Sequence, residues 1–250
     1  MAPSPWSWQP AWVELAAVVL LAVGYVAASR RHRPPAWRVA CFAAAVLLLL
    51  AVSVTPLGTL ALHYLLSAHL VQNVALAEWI PLLLVLAVPP SLAAEAARFR
   101  LVRTLTRPLV ALPLWVAGYV LWHVPAAYDA ALEHHGLLHL EHLTYLVTGV
   151  LLWWPVLQDR PWKLPNGGKA AYLFAAFVFA SPLGLMLALL PSPIYDFYED
   201  APRIWGLAPL EDQEIAGMTM ALSEAIVFFA VFAVFFVRFL AEEEAEDVPV

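Results

Sequence analysis

The sequence predicts an all-α membrane protein, one bundle of seven transmembrane helices with the N-terminus outside and the C-terminus in the cytoplasm. Three observations predict it. Of 250 residues, 63% are hydrophobic and only 13% charged, with a mean hydropathy of +0.77, where a soluble domain carries roughly 25% charged residues. The apolar residues gather into seven runs near the roughly 20 residues needed to cross a bilayer. The basic residues concentrate on alternate separators between those runs, the pattern that sets orientation in a membrane. So apolar a chain cannot cover a folded surface with polar groups, which excludes a soluble enzyme and a disordered protein. The net charge of -6 gives no attraction for nucleic-acid phosphates.

The first run, about 12–29, follows a segment with no basic stretch and therefore reads as a retained helix rather than a signal peptide; RRHRPP ends it. The second, about 38–55, stops at TPLG. The third, about 60–88, contains Pro81, which predicts a kink. The fourth and fifth, about 109–126 and 138–157, flank a histidine-rich separator. QDRPWKLPNGGK leads into the sixth, about 170–190, and a long acidic loop precedes the seventh, about 213–237. Residues 1–240 form a single domain on this reading, and 241–250 an acidic, solvated cytoplasmic tail. Cys41 is the only cysteine, which excludes a disulfide framework within the chain. Trp122, Trp153 and Trp154 are expected at the membrane interfaces.

With the N-terminus outside, the cytoplasmic side receives Arg30, Arg31, Arg33, Arg38, Arg98, Arg100, Arg103, Arg107, Arg160, Lys163, Lys169 and Arg238, and the outer side only Arg203. Seven crossings then put the C-terminus inside. Of eight histidines, His32 alone falls on the cytoplasmic side. His63, His69, His123, His134, His135, His139 and His142 all fall at the outer ends of helices three to five or in the loop between four and five.

That one-sidedness points to a functional site, because ionisable groups in membrane bundles are costly. His139 and His142 are three residues apart, about 60° around a helix, and can share a ligand. His63 and His69 stand about 120° apart and do not share a face on a straight helix, whereas Asn73 follows His69 on the same face. Met218 and Met220, near the outer start of the seventh run, add soft thioethers; imidazole and thioether together suit copper. Asp129 and Glu133 stand near the histidines and could orient an imidazole through its second N–H. Glu141 points away from the shared face of His139 and His142. Glu78 and Glu224 fall well inside helices and should face the bundle. No GxSxG, HExxH, P-loop or GxGxxG occurs.

LWHVPAAYDAAL at 121–132 and LLHLEHLTYLVTGVLLWWPVL at 137–157 resemble the central block of the CtaG family of cytochrome c oxidase assembly factors, the bacterial seven-helix type associated with caa(3)-type oxidases. SAHLVQNVALAEWIPLLLVLAVPP at 67–90 and EDQEIAGMTM at 211–220 resemble its third-helix and last-helix blocks. The resemblance covers about half the chain. It carries the family's histidine onto His69, its Trp-His pair onto Trp122 and His123, and its Tyr-Asp onto Tyr128 and Asp129. Its H..EH pattern falls on His139, Glu141 and His142, and its last block on Asp212, Gln213, Met218 and Met220. One departure matters: the family block reads HMxQH, and here Leu70 and Asn73 replace its methionine and second histidine.

The resemblance implies a non-enzymatic factor that matures a haem-copper oxidase in the bacterial inner membrane by binding copper transiently at an outer face. The ligand candidates are His69, His123, His139, His142, Met218 and Met220, supported by Asp129, Asp212, Asn73 and Glu141. Oxidase subunits, membrane lipid and a second copy of the chain are the expected partners, with no nucleic acid. Rival readings are a membrane haem protein with histidine axial ligands, a metal-free scaffold for oxidase subunits, and a membrane metalloenzyme or channel.

Overall fold

A computed structural model describes residues 2–246. The chain is 80% helix, with no strand among the described residues. Helix α1 (Trp12–His32) ends on Arg33 in a left-handed conformation, whose N–H caps the Ser29 carbonyl, just before two prolines. Helix α2 (Ala36–Val54) follows, then a short α3 (Pro56–His63), α4 (Leu66–Ala87), and two short basic-end helices, α5 (Pro90–Ala96) and α6 (Arg100–Leu105). Next come α7 (Pro108–Trp122), α8 (Pro125–Glu133), α9 (His135–Leu157) and α10 (Asn166–Leu189). The short α11 (Asp196–Asp200) and the long α12 (Pro209–Glu246) complete the chain.

Among the described residues six helices, α1, α2, α4, α9, α10 and α12, are long and apolar enough to cross a membrane, and α7 with α8 makes a seventh if that pair is one span. The exterior agrees with a lipid solvent. Helix α1 has no buried residue, and Leu20, Leu109, Leu189 and Ile226 stand exposed.

Three differences from the expected runs have local causes. The third run is broken: α3 ends at His63, Leu65 is extended, and a new helix starts at Leu66, so His63 and His69 lie on different helices. The fourth helix stops at Trp122 and the chain turns by 74° into α8. Pro125 explains the turn, since the residue before a proline is steered away from helical conformation. Helix α12 runs through Glu246, about 57 Å at 1.5 Å per residue and longer than a bilayer core of about 30 Å. Residues 241–246 are therefore helical, and 247–250 lie outside the described residues.

Pro81 acts through the helix before it. It cannot donate an N–H to the carbonyl of Ala77, and α4 accommodates this with one π turn over Ala75–Trp79. Two tryptophans from neighbouring helices serve carbonyls of that turn. Trp115 of α7 donates to the Ala77 carbonyl at 3.3 Å and Trp153 of α9 to the Glu78 carbonyl at 3.0 Å. Trp153 is fully buried in the aromatic core, stacked on Phe228, and is no interfacial anchor; Trp122 and Trp154 are buried as well. Gly149 lets α9 reach the same turn, because a Cβ there would run into the Ala77 carbonyl and Pro81.

The helix ends form two distinct layers. At one end Arg31 pairs with Glu95 (3.0 Å), Arg38 donates to the carbonyls of Leu86 and Val88 (2.6 Å each), and Gln158 donates to Val85 (2.9 Å). Asn166 and Glu242 join α10 to α12 there, at 2.6 Å. The clustered arginines belong to this basic end. At the other end Gln9 bonds Val54 (2.8 Å), and Tyr195 donates to the His123 carbonyl (3.1 Å). Gln213 accepts from the Ile194 N–H there at 2.9 Å. The histidines other than His32 gather at this second end.

Candidate functional site

Four elements converge at the histidine end: the start of α4, the α7–α8 corner, the start of α9 and the loop around α11. His69 is fully buried, and its Nδ1 lies 2.8 Å from the Tyr198 hydroxyl. That hydroxyl donates its only hydrogen to the Ala61 carbonyl at 2.5 Å. Burial pushes the Tyr198 phenol up, so the hydrogen stays in place. His69 must therefore donate from Nδ1, which leaves Nε2 with a free lone pair. His123 reaches the same state through a different acceptor: its Nδ1 lies 2.8 Å from the Tyr119 carbonyl, which can only accept. Both Nε2 atoms are buried and have no hydrogen-bond partner among the described residues. An imidazole whose Nδ1–H is held by an oxygen and whose Nε2 is bare is in the form that metal ions bind.

Tyr128 stands between these two rings, at centroid distances of 5.1 Å from His69 and 5.9 Å from His123. His142 meets His69 edge-on, 6.5 Å between centroids, and neither of its nitrogens has a hydrogen-bond partner among the described residues. His142 also lines a cavity of about 350 Å³, together with Glu14, His63, Gln72, His135 and His139. One oxygen of Glu14 lies 3.1 Å from His139 Nδ1 and 3.5 Å from His142 Nδ1. His142 thus belongs both to the buried histidine group and to the wall of a half-buried vestibule. Among the described residues no three His, Cys, Asp or Glu side chains form a ready metal cage.

The remaining candidates divide by what they touch. Asp212 accepts from the N–H groups of Leu66 (2.7 Å) and Ser67 (3.1 Å) and from the Ser67 hydroxyl (2.5 Å), so it caps α4. Asn73 donates to Glu141 at 3.1 Å, both buried, and ties α4 to α9. Asp129 accepts from the Phe197 N–H at 3.3 Å and holds the start of α11. Met220 is fully buried while Met218 is 45% exposed; two residues apart on a helix, the thioethers point to different faces and are not gathered together.

Residues 19–242 match the family described as cytochrome c oxidase caa3 assembly factor. The chain belongs to that family. Similar proteins include an uncharacterized protein of Mycobacterium bovis, 26% identical over 250 residues, which takes in 87% of this chain and 37% of that protein. One from Mycobacterium tuberculosis has the same figures, 26% over 250 residues, 87% and 37%. One from Mycobacterium leprae is 24% identical over 230 residues, 81% of this chain and 35% of that protein. The chain spans about a third of the length of these relatives. No solved structure matches it.

In this member of the family the motif residues His69, Trp122, His123, Tyr128 and His142 are all buried at one end of the bundle. Sequence reasoning missed Glu14 and Tyr198, whose hydroxyl sets the His69 tautomer. A signal for Glu14 was present, since it is the lone carboxylate in the first turn of an apolar span, although a carboxylate there costs less than one at mid-span such as Glu78 or Glu224. Tyr198 carried no such signal, because a buried tyrosine and an interfacial one look alike in sequence.

Proposed function

We propose that this assembly factor helps mature a haem-copper oxidase by holding copper transiently at the histidine end of the bundle, with that end on the outer face of the bacterial membrane. The observation that carries the reading is the pair of buried, bare Nε2 atoms on His69 and His123, each with its Nδ1–H held by an oxygen. Copper is cargo here. His69, His123 and His142 are its proposed ligands, and Glu14 with His139 forms the vestibule through which it arrives. A site without a closed set of ligands suits a protein that must release what it binds. The orientation is supported by the arginine-rich end, which belongs in the cytoplasm, leaving only Arg203 outside. Oxidase subunits are the proposed recipients, with lipid around the bundle and self-association as further proposed contacts.

A metal-free scaffold is the second reading, favoured by the lack of a three-ligand cage among the described residues. Copper(I) competition against a colorimetric chelator, on detergent-purified protein, separates the two. The copper reading expects binding that drops at least tenfold in His69→Ala with His123→Ala. Absent binding, or binding indifferent to both substitutions, leaves the scaffold.

A further inference from the structure

Two carboxyl groups take no part in the histidine end. Glu78, in the π turn of α4, and Glu224, on α12, are both completely buried, at the level of the aromatic core rather than at either end. Neither oxygen of Glu78 has a hydrogen-bond partner among the described residues, and the same is true of Glu224 Oε2. Glu224 Oε1 accepts the phenol O–H of Tyr119 at 2.6 Å. Ser181 of α10 also faces Glu224, and Glu78 lies within electrostatic reach of Glu224 and Tyr119. The surroundings are aromatic: Trp115 stacks on Tyr119, and Trp115 and Trp153 both pack on Phe228, one turn from Glu224. His123 and, on α9, Tyr145 are the other titratable groups beside Tyr119, with ring centroids 5.1 and 6.0 Å away. No lysine, arginine or histidine forms an ion pair with either carboxylate among the described residues.

An ionised carboxylate without a partner is costly inside a membrane bundle, and two close together repel as well. A single proton relieves both effects. A magnesium or calcium ion would need about six oxygens or more. The free ones here are the two of Glu78, one of Glu224 and the Ser181 hydroxyl. We propose that Glu78 and Glu224 form an intramembrane proton-binding site that holds one exchangeable proton between them. Glu78, with both oxygens unpartnered, is the neutral member. Glu224, with the Tyr119 hydroxyl on Oε1, is the member able to carry charge. The site also borders the histidine end, since the backbone carbonyl of Tyr119 receives the His123 N–H.

Infrared difference spectroscopy of the full chain in lipid nanodiscs at neutral pH tests this, in H2O and in 2H2O. The expected result is a protonated-carboxyl carbonyl band that shifts in 2H2O, weakens in Glu78→Gln, and persists when choline replaces sodium and potassium. Glu224→Gln should move the frequency of the remaining band, because the Glu78 carboxyl loses its neighbour; this variant decides the matter if Glu78→Gln does not fold. A spectrum unchanged by these substitutions, or a band that appears only when metal cations are withdrawn, overturns the proposal.

Discussion

Replacing Asp212 with alanine asks whether a residue of the family's last block is a helix cap or a support for metal. Its carboxylate is 2% exposed and receives three hydrogen bonds, from the Leu66 and Ser67 N–H groups and the Ser67 hydroxyl. An exposed N-cap contributes about 0.5–2 kcal/mol. This one is buried and charged: a hydrogen bond to a charged group contributes about 1.5–3 kcal/mol, and a buried donor left unsatisfied costs about 1–3 kcal/mol. Two backbone donors lose their acceptor together, so Asp212→Ala should destabilise the protein by about 3–5 kcal/mol. Asp212→Asn retains one acceptor oxygen and should cost about 1–2 kcal/mol. Denaturant unfolding in mixed micelles, followed by tryptophan fluorescence, measures the difference, and amide exchange at Leu66 and Ser67 locates it. A loss below about 1 kcal/mol for the alanine variant would refute the capping argument. So would an unchanged midpoint combined with lost copper binding.

Four further outcomes are expected. Gly149→Ala drives a Cβ into the Ala77 carbonyl and to 2.6 Å from Pro81 Cγ, an overpacking cost of about 1–3 kcal/mol by the same unfolding measurement. Trp153→Phe leaves the Glu78 carbonyl without its indole donor and should cost about 1–3 kcal/mol, more than Trp154→Phe if the π turn depends on that bond. Glu14→Gln removes the charge facing His139 and His142; stopped-flow copper uptake should slow while equilibrium affinity stays within about twofold, and an affinity loss as large as that of His69→Ala would make Glu14 a ligand. In a Cys41→Ser background, cysteine placed at His134 should react with an impermeant maleimide from outside intact cells, and reaction only after permeabilisation would reverse the orientation.

Much of the architecture was legible because hydropathy is local. Each apolar run reports its own preference for lipid, so the spans and the basic end of the bundle follow from counting residues. The gathering of His69, His123, His139 and His142 at one end follows from the same counting. The broken third run was less legible: nothing near Leu65 forbids a continuous helix, and the acceptor that starts α4 again is Asp212, 146 residues away. Pro81 announced a disturbance in α4, but its form, a π turn served by Trp115 and Trp153, depends on which faces of α7 and α9 turn inward.

The sequence alone therefore determined the class of protein, most of its apolar spans, and the end of the bundle at which imidazoles collect, since those depend on composition summed along the chain. The tertiary structure alone decided that His69 and His123 keep bare Nε2 atoms, that Glu14 reaches across to His139 and His142, and that Glu78 and Glu224 share one buried region. Each depends on the rotation of a helix about its own axis and on the partner it meets there. Hydropathy along one strand of sequence does not encode that rotation; packing between distant segments does.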